Sequence, residues 1–284
     1  MKTYFGYHRC ERCGESMDNQ FAACPNCGRE SDFAEAGRSF RNFLMLSMQK
    51  QAGLMALSLV GLTVLSLIVS VLALSIHAGD DEAFAKTPGY LMLSNGIPYT
   101  LLLAGMLLLL WGSCKDLLLC FKKWKHVLMG LAFAAIMVVA AIGYYSLVII
   151  PVYAALGIEA GTTNANQSAL NQMILAYPAV GFIVFALIGP LTEELGYRVG
   201  LFGLSSRFGK PIGYAVTIVV FALIHFGFDK LGTAEPAIIE LVNLPSYLIG
   251  GVCLTIAYDK FGIECSTTAH ILYNSFALLT EVLP

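Results

Sequence analysis

An all-α bundle crossing a membrane about seven times, with a small four-cysteine zinc ribbon at its N-terminus, is the fold class predicted by three observations. The 284-residue chain is 57% hydrophobic and only 13% charged, where an ordinary soluble domain carries about 25% charged residues; lipid rather than water must solvate most of it. Runs of roughly 20 apolar residues recur along it, the length that crosses a bilayer core as a helix. Two Cys-x2-Cys pairs, Cys10 with Cys13 and Cys24 with Cys27, open the chain, and this spacing suits a four-thiolate metal site. The net charge of −2 and the balance of Lys2, Arg9, Arg12 and Arg29 against Glu11, Glu15, Asp18 and Glu30 leave no footprint for nucleic acid.

Residues 1–30 read as the ribbon. In Cys10-Glu-Arg-Cys13-Gly and Cys24-Pro-Asn-Cys27-Gly a tight turn brings the two sulfurs of each pair together, and the glycine lets the backbone fold beneath them. Four thiolates close a tetrahedral Zn2+ shell with no open position, so the metal is expected to be structural. It would supply the folding free energy that so small a module cannot draw from a core. Redox-active or disulfide-bonded pairs are the alternative, disfavoured in a reducing cytoplasm. The ribbon has two expected uses, docking a partner protein or capping the first helix. Residues 31–52, with Phe33, Phe40, Arg41 and Phe43, form a linker or a helix along the membrane surface. Nothing before Phe43 resembles the apolar core of a signal peptide, so the N-terminus is expected in the mature chain. Cys114, Cys120, Cys253 and Cys265 lie in apolar sequence and read as small buried hydrophobes.

Residues 53–172 read as scaffold, with spans at 53–76, 90–113 and 127–150 that contain no Asp, Glu, Lys, Arg or His. Residues 173–284 hold the rest: a fourth span starting near Met173, a fifth at 211–228, a sixth at 238–258 and a seventh at 262–283. Lys and Arg accumulate on the cytoplasmic side of short loops. Of the 17 basic residues, only Lys86 and Lys230 fall on the side opposite the N-terminus, which places that terminus in the cytoplasm. A multi-pass protein with a cytoplasmic N-terminus is therefore expected, and the plasma membrane of a prokaryote is its expected location. The connection 151–172, rich in Gly, Thr, Asn and Ala, is expected outside as a flexible cover.

The polar residues concentrate in the last four spans. Glu193, Glu194 and Arg198 directly continue an apolar stretch, and carboxylates at membrane depth persist mainly where they serve a pathway or a reaction. If Arg207-Phe-Gly-Lys210 turns a helical hairpin, Glu193 and His225 each lie sixteen positions from Gly209, ~24 Å along their helices, and can meet. His270 and Asn274 share a helix face by their i, i+4 spacing, ~15 and ~21 Å from Lys260. Glu194 and Arg198 can pair at i, i+4, which frees Glu193 to point elsewhere, and Phe221 lies one turn before His225. Simpler readings exist: an interfacial charge cluster if the fourth helix stops at Pro190, a core histidine at 225, and interhelical hydrogen bonding by His270 and Asn274. His77 and His126 read as loop-end residues.

Glu-Glu-x3-Arg (193–198), Phe-x3-His (221–225) and His-x3-Asn (270–274) together resemble the motifs of the CAAX-protease and bacteriocin-processing (CPBP, or ABI) intramembrane endopeptidases. The resemblance covers residues 173–284 and leaves out the ribbon and the first two spans. It implies peptide-bond hydrolysis by glutamate-activated water without a catalytic metal, Glu193 acting as general base on a water that His225 helps hold. His270 and Asn274 would stabilise the oxyanion, and Glu194 with Arg198 would hold the helix in register. The implied substrates are peptides or proteins at the membrane, lipidated ones included, cut within or near the cytoplasmic leaflet. Three alternatives stay open: a metal-dependent membrane protease using Glu193, His225 and His270, a proton-coupled carrier, and a non-proteolytic binding protein.

Overall fold

The computed structural model describes residues 7–9, 12, 16–18, 26–27 and 46–283. Cys10, Cys13 and Cys24 lie outside the described residues, and so does the zinc site expected of them. Ahead of the helices, strands β1 (Tyr7–Arg9) and β2 (Ser16–Asp18) pair antiparallel with His8 opposite Met17.

The helical body comprises α1 (Met48–Ile76), α2 (Asp81–Ala85), α3 (Pro88–Leu109), α4 (Cys114–Cys120), α5 (Trp124–Leu156), α6 (Ala165–Ala176), α7 (Pro178–Phe208), α8 (Lys210–Leu223), α9 (Ala234–Phe261) and α10 (Ile263–Val282). Helix starts follow the local chemistry. The Ser47 hydroxyl caps α1, the Asp80 carboxylate caps α2, Thr87 with Pro88 opens α3, and the Asn164 side chain accepts from Gln167 N at 2.9 Å to open α6; such caps satisfy otherwise orphaned N–H groups. Gly209 (φ 125°) and Gly262 (φ 91°) make the two tight reversals between α7 and α8 and between α9 and α10, in a backbone region open chiefly to glycine.

Among the described residues α1, α3, α5, α7 and α9 are long and apolar enough to cross a bilayer, which makes this a multi-pass helical membrane protein. Exposed Trp111, Trp124 and Phe208 sit at the helix ends nearest Lys115, Lys125 and Lys210, where interfacial aromatics and basic residues belong together. The expected fifth span is shorter than its apolar run. α8 stops at Leu223, leaving His225 in the turn beyond the helix.

The first spans are more than scaffold. α1 packs along α3 and onto the second half of α7, where a Cβ on Gly200 would lie 2.8 Å from Met55 N and one on Gly196 would overlap the Ser58 side chain. Small residues permit this close backbone approach. Gln51, almost fully buried, takes a hydrogen bond from Arg207 Nη2 at 2.8 Å, fixing the basic end of the α7–α8 hairpin to α1. One apolar cluster (Leu54, Leu102, Met106, Leu195, Phe202, Tyr258 and neighbours) fills this half of the bundle. A second, built from Met137, Tyr197, Phe221, Leu254 and Ala269, lies beside the polar site.

His126 is not an inert loop-end residue. Its Nδ1 lies 2.8 Å from the carboxylate of fully buried Glu264 at the start of α10, and α5 runs along α10. The charged partner came from the α9–α10 reversal, which the apolar pattern around it concealed.

Candidate active site

The catalytic-looking turn of α7 is helical throughout but not uniformly α. Residues Phe182–Ile188 and Glu194–Phe202 adopt the wider i→i+5 bonding on either side of the α-helical turn Gly189–Glu193, a local distortion that recurs at functional sites. α7 continues past Pro190 to Phe208; the carboxylates are therefore inside the bundle, not at a frayed interfacial end. The hairpin reading holds, and α7, the turn after α8 and α10 bring Glu193, His225, His270 and Asn274 to the wall of one cavity of about 230 Å³.

Each member of the group has a defined neighbour. Glu193 Oε1 accepts from the Tyr99 hydroxyl at 3.0 Å, and its Oε2 lies 3.8 Å from His270 Nε2. Glu194 is completely buried; its Oε1 lies 2.9 Å from His270 Nδ1 and its Oε2 3.5 Å from Arg198 Nε. The Glu194–Arg198 pair expected from spacing is present, but the same carboxylate also holds the histidine of α10. Arg198, also fully buried, stacks its guanidinium over Phe221 at 4.4 Å from the ring centroid. Carboxylates in a low-dielectric interior need partners for their oxygens: Arg198 and His270 supply them for Glu194, and Tyr99 for Glu193.

Hydrogen bonding fixes the ring faces. A carbonyl can only accept, so His225 donates Nδ1–H to Phe221 O at 2.8 Å, and in the neutral ring Nε2 carries a lone pair. His225 also stacks on Tyr247, 4.7 Å between centroids and 17° between planes. With Nδ1–H given to Glu194, His270 can donate from Nε2 only as the imidazolium. Asn274 Nδ2 donates to Phe185 O at 3.0 Å, so a second N–H of the same amide remains for a ligand.

Several residues of the site were missed by sequence reasoning. Tyr99, which bonds Glu193, lies on α3, a span that read as scaffold because it has no Asp, Glu, Lys, Arg or His; a lone tyrosine in an apolar run carries almost no signal. Met137 and Ala141 of α5 line the cavity. The connection 151–172 is an ordered part of the site and not a loose cover. α5 extends to Leu156, α6 begins at Ala165, and buried Asn164 lines the cavity with Asn166 and Gln167. Tyr247 receives hydrogen bonds from the amides of Asn164 (3.1 Å) and Asn166 (3.2 Å).

The lining also includes residues of the 163–167 connection and the turn that carries His225.

A multi-pass helical protein with a buried carboxylate and histidine site is the class that this geometry defines. Residues 175–276 match the family described as Type II CAAX prenyl endopeptidase Rce1-like, and the matched stretch contains all three motifs. The chain is also similar to UPF0177 protein YvdC of Lactococcus lactis subsp. lactis (strain IL1403), 27% identical over 123 residues. That alignment spans 43% of this chain and 43% of the relative, less than half of either. No solved structure matches the chain.

Proposed function

We propose that the protein is an intramembrane endopeptidase in which Glu193 activates water. The observation that carries this reading is the convergence of Glu193, His225 and His270 from α7, the turn after α8 and α10 on one cavity. A water between Glu193 and the His225 Nε2 lone pair donates one hydrogen to each. Its own lone pair then faces a peptide carbonyl in the cavity. Glu193 takes a proton as the oxygen attacks, imidazolium Nε2–H of His270 and the second N–H of Asn274 receive the developing oxyanion, and Glu193 returns the proton to the leaving amine. Glu194, itself paired with Arg198, keeps His270 oriented.

The substrate is a membrane-associated peptide or protein segment, and the family match makes lipid-modified C-terminal segments the first to test. The seven-crossing arrangement follows if α8 and α10 join the five long helices as spans, with a cytoplasmic N-terminus and a Zn2+-filled ribbon on residues 1–30. Incubating the purified protein in lipid vesicles with lipidated and unmodified peptides, and reading new termini by mass spectrometry, tests the proposal. Cleavage that disappears in Glu193→Gln supports it; cleavage unaffected by that change removes it.

A metal-dependent reading has less behind it: among the described residues no group of three or more His, Cys, Asp or Glu side chains is placed to hold a metal ion. Metal analysis of protein truncated before residue 46 tests it: a stoichiometric metal whose removal stops cleavage would favour a metalloprotease.

A further inference from the structure

Glu240 lies on α9, outside all three motifs, and is only 2% exposed. Burying a carboxylate is costly unless its oxygens are satisfied. Here each oxygen serves a different segment: Oε1 accepts from Ala165 N at 2.7 Å, and Oε2 from Gly227 N at 2.9 Å. The first N–H belongs to the segment carrying Asn164 and Asn166, the second to the turn carrying His225. Gly227 fits this contact, since a Cβ there would lie 3.0 Å from the Glu240 carboxylate. Two turns further along α9, Tyr247 repeats the connection, stacking on His225 and accepting from Asn164 and Asn166.

Two segments 75 and 13 residues away in sequence are thus held to one helix at the cavity rim. Charge-assisted hydrogen bonds to a carboxylate are the stronger kind and have directional geometry. We infer that Glu240 is a positioning residue for the active site, setting the His225 turn and closing the 163–167 segment over the cavity through two main-chain N–H groups. This inference rests on the endopeptidase reading for its catalytic half; the closure half is independent of it.

Both halves are tested with Glu240→Gln, whose amide retains one acceptor but presents N–H to the other N–H. Gly227→Ala perturbs the same contact from the opposite side. Each is combined with Ala277→Cys, a thiol on the cavity wall, and modification of position 277 by a small water-soluble maleimide is followed by mass spectrometry. Relative to Ala277→Cys alone, labelling accelerates at least about tenfold, as opening of the rim by 1.4 kcal/mol or more requires. In the cleavage assay kcat falls by about 100-fold, the scale of a 1 Å displacement of a reacting group, while KM changes much less. The two substitutions together do no more than either alone. Should Glu240→Gln fail to accumulate, Gly227→Ala carries the same test. Unchanged labelling and unchanged kcat in a folded variant overturn the inference. If Glu193→Gln is inactive in that assay the endopeptidase reading survives this failure, whereas an active Glu193→Gln removes the reading and leaves labelling to judge the closure.

Discussion

His270 Nδ1 lies 2.9 Å from Oε1 of Glu194, and the other oxygen of that carboxylate lies 3.5 Å from Arg198 Nε, all three side chains being buried. Glu194 therefore acts as the shared anion of two helices. Removing its charge leaves Arg198 uncompensated in the interior, a situation that costs about 3–5 kcal/mol. Glu194→Gln is expected to lower the unfolding temperature in detergent markedly and to abolish cleavage; a variant with parental stability would show that the pair is not the anchor described.

The Tyr99 hydroxyl donates to Glu193 Oε1 at 3.0 Å, leaving Oε2 to face His270. Tyr99→Phe removes one hydrogen bond to a charged group, worth about 1.5–3 kcal/mol. If that bond orients the base in the transition state, kcat drops by roughly 10- to 100-fold with KM little changed. Steady-state kinetics on a cleaved peptide gives both values, and an unaltered kcat would confine Tyr99 to packing.

Asn274 keeps one N–H on Phe185 O and offers the other to the cavity. Loss of an oxyanion donor typically costs about 10²–10³ in kcat, and Asn274→Ala is expected to fall in that range while remaining folded. A loss in KM alone would instead assign Asn274 to substrate binding.

Gly200 tests the claim that α1 belongs to the catalytic core. A Cβ at this position would lie 2.8 Å from the backbone nitrogen of Met55, which cannot move aside as a flexible side chain would. Gly200→Ala is expected to destabilise by about 1–3 kcal/mol, read as a lower thermal midpoint. Indifference to the substitution would mean that α1 packs loosely against α7.

Much of this was legible in the residues, and the boundary has a physical cause. Helices α1, α3, α5, α7 and α9 follow from apolar length alone, and the meeting of Glu193 with His225 follows from equal spacing about Gly209. Charge at membrane depth is rare enough to mark Glu193, Glu194, Arg198 and His270. What stayed hidden was neutral or supplied by the backbone. Tyr99 looks like any aromatic in an apolar span, and Asn164 reads as loop composition. Glu240 gains its meaning only from main-chain N–H groups at Ala165 and Gly227. The end of α8 at Leu223 was equally hidden, because the sequence remains apolar through Phe226 while the helix does not.

For the ribbon, Cys10, Cys13, Cys24 and Cys27 are expected to hold one Zn2+ per chain. Elemental analysis of the purified protein checks the stoichiometry, and Cys10→Ser should lose the metal. Retention of full zinc in Cys10→Ser would reject a four-thiolate site.

The central claim is that Glu193 is the base in a water-driven cleavage. It is tested most directly by comparing the cleavage rate of the protein with that of Glu193→Gln, both in vesicles and both shown folded by thermal unfolding. The mechanism predicts a rate at least about 100-fold lower in the variant with an unchanged unfolding temperature. Equal rates would contradict it.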